Sequence, residues 1–204
     1  MNKKINLNLY KWEDITQIFF EKKFDNVILF SQPRSGSTFV SNLLSKEFKF
    51  YKNFFPEEFF INQHFSYLKF FIKKHNNFFI NTNEYWVRRI DLIKNNTMYL
   101  YLYRDSDEIL SSYKKAKKYN YYFGWEEMIN KYRKFFPEIE KSISPPLFGH
   151  RVWENQISKF SNAYTLSYES FKTHKFYLSS KTRNTKINHQ HGFKKNVQTH
   201  KHKK

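Results

Sequence analysis

Arg34, Ser35, Gly36, Ser37 and Thr38 are the residues of this chain whose types and spacing best suit chemistry. They sit in VILFSQPRSGSTF, residues 27–39, behind four apolar residues and ahead of an apolar helical pattern. That order predicts a strand, an anion-cradling turn and a helix start. A helix start leaves backbone N–H groups without partners and carries the positive end of the helix dipole, and an anion satisfies both. Gly36 lets the backbone approach an anion closely, the hydroxyls are donors, and Arg34 adds a permanent charge with a planar fork of donors. The plainer alternative is a strand-to-helix turn that happens to carry Ser and Gly.

Aligned on Gly36 with GxxxxGK[ST], the loop that cradles ATP or GTP phosphates, the segment has Ser31 for the first glycine and Ser37 for the lysine. It therefore fits a triphosphate loop badly. A second constellation, YLYRDSDEILSSY at 101–113, follows another apolar run. Arg104 leaves a strand end there, and Ser112 lies two turns along the next helix, with Asp105 or Ser106 as N-cap. Adjacent parallel strands bring their ends together, so Arg104 and Ser112 can converge on a second anion beside the first. The competing reading is a surface ion pair of Arg104 with Asp107 or Glu108 and a solvated Ser112.

Composition narrows the classes. The 204 residues suit one α/β domain, and aromatics at 21% supply ample apolar bulk. Cysteine is absent, which excludes disulfides, thiolate catalysis and Cys-ligated zinc. The first twenty residues lack a long apolar core of the kind that directs secretion, and no apolar run reaches the ~20 residues of a membrane span, so a cytoplasmic protein is expected. Of the net charge of +18, +10 lies in residues 172–204, which hold ten Lys or Arg, no Asp or Glu and five His. Residues 1–171 keep +8. A nucleic-acid binder should interleave its charge with aromatics on one platform, whereas here the charge gathers in a tail. The tail reads as a disordered or loosely docked extension, an anion-binding arm being the sharper alternative. Its histidines, among them His189, His191, His200 and His202, have no surroundings that suggest a built metal site.

These residues need a frame to hold them. Periodicity predicts helices over 10–24, 37–47, 84–94, 106–118, 125–135 and near 150–160, and strands over 27–31, 68–74, 97–103 and 163–167. Such alternation argues for a parallel sheet flanked by helices on both faces, with ligands at the carboxyl ends of the strands. The expected organisation is one α/β domain over 1–171 followed by the basic tail.

PRSGST after a strand, then YLYRDSDEILSSY about seventy residues later, resembles the two phosphate-binding signatures of sulfotransferases that use 3′-phosphoadenosine 5′-phosphosulfate (PAPS). The resemblance covers roughly residues 25–172 and implies a P-loop-type fold. It assigns Arg34, Ser35, Gly36, Ser37 and Thr38 to the 5′-phosphosulfate, and Arg104 and Ser112 to the 3′-phosphate. Phe39 falls where cytosolic members place an aromatic beside the adenine, with core packing as the alternative. Leu166 to Phe171 resembles the short strand ending in Tyr-Glu of many members.

For the acceptor side the resemblance offers two bases. Pro56-Glu57-Glu58-Phe59-Phe60 is similar to a segment of bacterial trehalose sulfotransferase-like enzymes whose Glu is the proposed base, and Leu102, Ala116 and Trp125 echo that subfamily. Phe71-Ile-Lys-Lys-His75 is similar to the Lys-Thr-His strand end of cytosolic members, whose His is the base. Glu58 is the preferred of the two, because the Arg34 form of the loop accompanies the Glu version. Otherwise Glu57 and Glu58 simply open a helix, and His75 is a strand-end surface residue. The implied reaction moves a sulfuryl group to a hydroxyl of a carbohydrate or other small acceptor without a metal. The basic, Gly-containing loop with which members close over the 3′-phosphate has no clear counterpart, only Lys181-Thr-Arg183 or Gly192-Phe-Lys194-Lys195. A P-loop small-molecule kinase and a non-catalytic basic nucleotide- or nucleic-acid-binding protein are the alternatives.

Overall fold

A computed structural model describes residues 5–48, 54–55, 65–88, 92–118, 130, 132–140 and 142–174. In chain order these form β1 (Leu9–Tyr10), α1 (Trp12–Glu21), β2 (Asn26–Ser31), α2 (Ser37–Phe48), β3 (Phe54–Phe55), α3 (Phe65–Lys74) and β4 (Phe79–Asn83). Then come β5 (Thr97–Tyr103), α4 (Ser106–Lys118), α5 (Pro145–Gln156) and β6 (Ala163–Ser167). The strands make one sheet in the order β1-β6-β5-β2-β4-β3, and every neighbouring pair is parallel.

Helices cover both faces, so successive residues of the inner strands enter opposite cores. Val27, Leu29 and Leu100 pack with Trp12, Ile15 and Phe19 of α1 and Leu43 and Leu44 of α2. Ile28, Phe30 and Tyr101 pack with Leu68, Phe71 and Ile72 of α3, Ile109 of α4 and Phe148, Val152 and Trp153 of α5. A strand buried on both sides needs no polar alternation, which is why β2 and β5 are nearly continuous apolar runs.

Three expectations need correction. Residues 68–74, expected as a strand, lie in α3: Leu68, Phe71 and Ile72 are buried at helical spacing while Phe70 points to solvent, and Lys73 and Lys74 suit a helix C-terminus. The second inner strand is instead β4, whose Asn81-Thr82-Asn83 resembles a loop in sequence but is fully buried. Ser31 Oγ donates to Asn81 Oδ1 at 2.7 Å, one of the bonds that makes this polar strand tolerable inside. The helix expected over 84–94 is a 3₁₀ turn from Glu84 to Arg88. The helix expected near 150–160 starts earlier, at Pro145, since proline fits a first helical turn. Most of the helix expected over 125–135 and nearly all of the 172–204 tail lie outside the described residues.

Register aligns four strand ends at one edge. Ser31 pairs with Asn83, Phe30 with Tyr101, and Tyr103 with Ser167. Gln32, Glu84, Arg104 and Tyr168 therefore all emerge at the same carboxyl edge. From β2 the chain runs to β3 and β4 on one side and then crosses to β5 on the other. The gap between β2 and β5 is thus a switch point, where open parallel sheets bind ligands.

Candidate anion-binding site

The turn after β2 is held by its own polar atoms. Ser35 donates to the Gln32 carbonyl twice, from its N–H at 3.1 Å and from Oγ at 2.7 Å. Its hydroxyl proton is thereby committed to shaping the loop. Arg34 and Gly36 both have left-handed backbones, with φ of 67° and 96°. The Gly36 carbonyl accepts from Val40 N–H, so α2 begins here and the Ser37 and Thr38 amides have no intrahelical acceptor. A Cβ on Gly36 would lie 2.2 Å from Tyr168 Cε2, so the residue after β6 presses directly on the loop.

The second motif meets the first at this point. Asp105 Oδ1 accepts from the N–H groups of Asp107 and Glu108 at 2.9 and 3.0 Å, which caps α4 and aims it from the end of β5. Arg104 Nη1 donates to the Arg34 carbonyl at 3.0 Å, and its guanidinium lies 4.6 Å from the centre of the Tyr168 ring. Arg34 Nε donates to Ser112 Oγ at 3.2 Å. Residues 70 and 78 positions apart in sequence are in direct contact.

The Arg104 to Glu108 ion pair weighed against this convergence also forms, at 3.1 Å. Partial burial pushes the Glu108 carboxyl up, but the hydrogen bond and charge of Arg104, with Lys172, outweigh it and hold the group below its usual range. Lys172 also pairs with Glu169. The rim thus carries cations and carboxylates together.

Beneath the loop lies a buried relay. Gln32 Nε2 donates to Tyr101 Oη at 2.8 Å and to the Pro146 carbonyl at 3.0 Å. Tyr101 Oη lies 2.8 Å from His150 Nδ1, and His150 Nε2 lies 3.0 Å from the Arg104 carbonyl. A carbonyl only accepts, so Nε2 carries the proton and Nδ1 accepts from Tyr101. Burial keeps the Tyr101 hydroxyl protonated, reinforced by the nearby Glu84 charge.

Burial also lowers His150 from 6.5 to about 4, against the opposing bond to the Arg104 carbonyl and the charge of Asp105. Tyr101, Tyr103 and Gln32 are its other polar neighbours. Above pH 6.5 the ring is neutral both folded and unfolded, so it has no effect on stability. Between 6.5 and about 4 the unfolded chain takes up a proton that the fold refuses. At roughly 1.4 kcal/mol per unit, this penalty grows to about 3 kcal/mol by pH 4. Urea unfolding from pH 7 to 4 should show a steeper loss of stability for the native protein than for His150→Gln; parallel curves would refute the assignment.

Not every residue expected at the site is there. Phe39 is fully buried, edge-on to Phe171 at 5.3 Å, so it packs the core and does not face a nucleotide base. His75 is not at a strand end. It follows α3, its N–H bonded to the Phe71 carbonyl, and lies four residues before Phe79, the first residue of β4. Phe79 pairs with Val27 and the loop begins after Ser31, so His75 and the loop lie at opposite ends of the sheet, roughly 13 Å or more apart. Lys94, before β5, donates to the His75 carbonyl from that same far end. His75 cannot act as a base at this site. Glu58 lies outside the described residues.

Sequence reasoning missed Gln32, Tyr101, His150 and Glu84. Gln32 was adjacent to the recognised motif, and Tyr101 was read only as part of the strand over 97–103; it is also fully buried in the core. His150 carries no local signal, since its meaning comes from α5 crossing the end of β5. Glu84 is fully buried at the carboxyl end of β4, close enough to raise the hydroxyls of Tyr85, Tyr101 and Tyr132, and the helix expected there hid it.

Among the described residues no group of three or more His, Asp or Glu side chains could hold a metal, and no helix is long and apolar enough to cross a membrane. No family model, curated protein or solved structure matches this chain.

Proposed function

We propose that this protein is a PAPS-dependent sulfotransferase acting on a hydroxyl of a carbohydrate or other small molecule. The observation that carries the reading is the contact between Arg34, Arg104 and Ser112 at the β2/β5 switch point, which joins two anion-binding motifs into one site. The donor set suits an adenosine bisphosphate. Arg104 Nη2 faces no acceptor among the described residues, and Ser112 Oγ accepts from Arg34, which leaves its hydroxyl proton to donate. The Ser37 and Thr38 amides add donors and the helix dipole.

PAPS supplies the sulfuryl group. In its transfer the bond from sulfur to the bridging phosphate oxygen breaks as the bond from the acceptor oxygen to sulfur forms. The protein's share is to align the groups in line and to meet the charge that grows on the leaving phosphate, which falls to Arg34 and the loop amides. Glu58 takes the proton of the acceptor hydroxyl. The products are adenosine 3′,5′-bisphosphate and a sulfate ester.

Calorimetry with adenosine 3′,5′-bisphosphate, Mg-ATP and single-stranded RNA tests this directly. The bisphosphate should bind most tightly; preference for Mg-ATP or RNA sinks the proposal. With labelled PAPS and a panel of hydroxyl acceptors, Glu58→Gln should lose transfer while keeping bisphosphate affinity, and His75→Ala should lose neither.

A further inference from the structure

We infer that His150 is a positioning residue for the anion site, acting through the backbone carbonyl of Arg104. The inference rests on reading the loop as an anion site, and deepens it by naming what sets the site's geometry. His150 belongs to neither motif. It lies on α5, 46 positions from Arg104, and is fully buried.

The relay has fixed polarity at both ends, the carbonyls of Pro146 and Arg104, and Gln32 Nε2 also lies 3.2 Å from His150 Nδ1. The Pro146 carbonyl can only accept, so the Gln32 carboxamide cannot flip. Gly149 presses on it as well: a Cβ there would lie 2.5 Å from Gln32 Cδ, so the amide is clamped between α5 and Tyr101. Gln32 donates to Tyr101, Tyr101 to His150, and His150 to the Arg104 carbonyl. Arg104 then donates to the Arg34 carbonyl, and Arg34 to Ser112. The bonds leave the loop at Gln32 and return to it at Arg34, two residues on. Between these points the chain adopts the left-handed backbone of Arg34, a conformation that costs energy and persists only when its surroundings hold it. His150 Nε2 fixes the point from which the Arg104 side chain starts. Without that bond Arg104 keeps its charge but loses the geometry that aims it at the loop.

The two ring nitrogens can be tested separately. In His150→Asn the amide oxygen falls near Nδ1 and still accepts from Tyr101, but the donor to Arg104 is lost. In His150→Gln the amide nitrogen reaches the place of Nε2 and still donates to the Arg104 carbonyl, while the acceptor for Tyr101 is lost. His150→Asn breaks the one contact of Nε2, with Arg104, whereas His150→Gln breaks the contacts of Nδ1 with Tyr101 and Gln32, so a purely structural role affects His150→Gln at least as much as His150→Asn. We expect affinity for adenosine 3′,5′-bisphosphate to fall about tenfold in His150→Asn and less than about threefold in His150→Gln, at similar thermal stability. Equal losses in both variants, or losses that simply follow stability, overturn the inference.

Inorganic pyrophosphate, titrated in parallel, separates this inference from the proposed function. A native protein that ignores the bisphosphate but binds pyrophosphate with the same Asn-over-Gln sensitivity keeps the positioning role and loses the sulfotransferase reading. A native protein that binds neither anion overturns both.

Discussion

Replacing Arg104 with Ala is expected to lower affinity for adenosine 3′,5′-bisphosphate by about ten- to a hundredfold while leaving the fold intact. Hydrogen bonds to charged groups contribute about 1.5–3 kcal/mol each, and this side chain is partly exposed at the carboxyl edge of the sheet. The loss has two parts. One is the guanidinium itself, whose Nη1 holds the Arg34 carbonyl and whose plane lies over Tyr168. The other is Glu108, which would keep, among the described residues, Lys172 as its ion-pair partner and so present a less compensated negative charge beside the incoming anion. Arg104→Lys should recover part of the affinity, since it restores the charge but not the planar fork. Calorimetry reads both effects, and unchanged affinity in Arg104→Ala would reject the site as described.

The second large effect is expected at Gly36. Alanine there meets two separate obstacles. The φ of 96° is a region that residues with a Cβ rarely adopt, at a cost of about 1–2 kcal/mol. The new methyl would also fall 2.2 Å from Tyr168 Cε2 and 2.9 Å from Cζ, and forced overpacking typically costs about 1–3 kcal/mol more. Tyr168 is buried against Phe171 and beneath Arg104, so it cannot swing aside freely. Urea unfolding of Gly36→Ala should therefore show a loss of about 2–5 kcal/mol. In a Tyr168→Ala background the same substitution should cost only about 1–2 kcal/mol, because the clash is gone and the backbone strain remains. If the cost is the same in both backgrounds, Tyr168 is not what Gly36 accommodates.

Legibility in the sequence followed how local each determinant was. β2 and β5 declared themselves as apolar runs, and Asp105 declared the start of α4. α3 was misread because FSYLKFFIKK is so rich in aromatics that its helical spacing is hidden. β4 was overlooked because Asn81, Thr82 and Asn83 have the composition of a loop, and only their pairing with β2 makes them a strand. That one exchange moved His75 from the expected position beside the loop to the far end of the sheet. Phe39 shows the same limit, since the motif gives its place in the chain but only packing against Phe171 gives its direction.

What the sequence determined by itself was the parallel α/β frame and the two short motifs, because strand periodicity, helix caps and glycine turns are set by neighbours within a few residues. Only the tertiary structure decided that the motifs meet, that Tyr168 lies against Gly36, and that a neutral His150 ties Arg104 to the loop. Those contacts join residues tens of positions apart. They exist because strand order and register bring four strand ends to one edge, which no local pattern encodes.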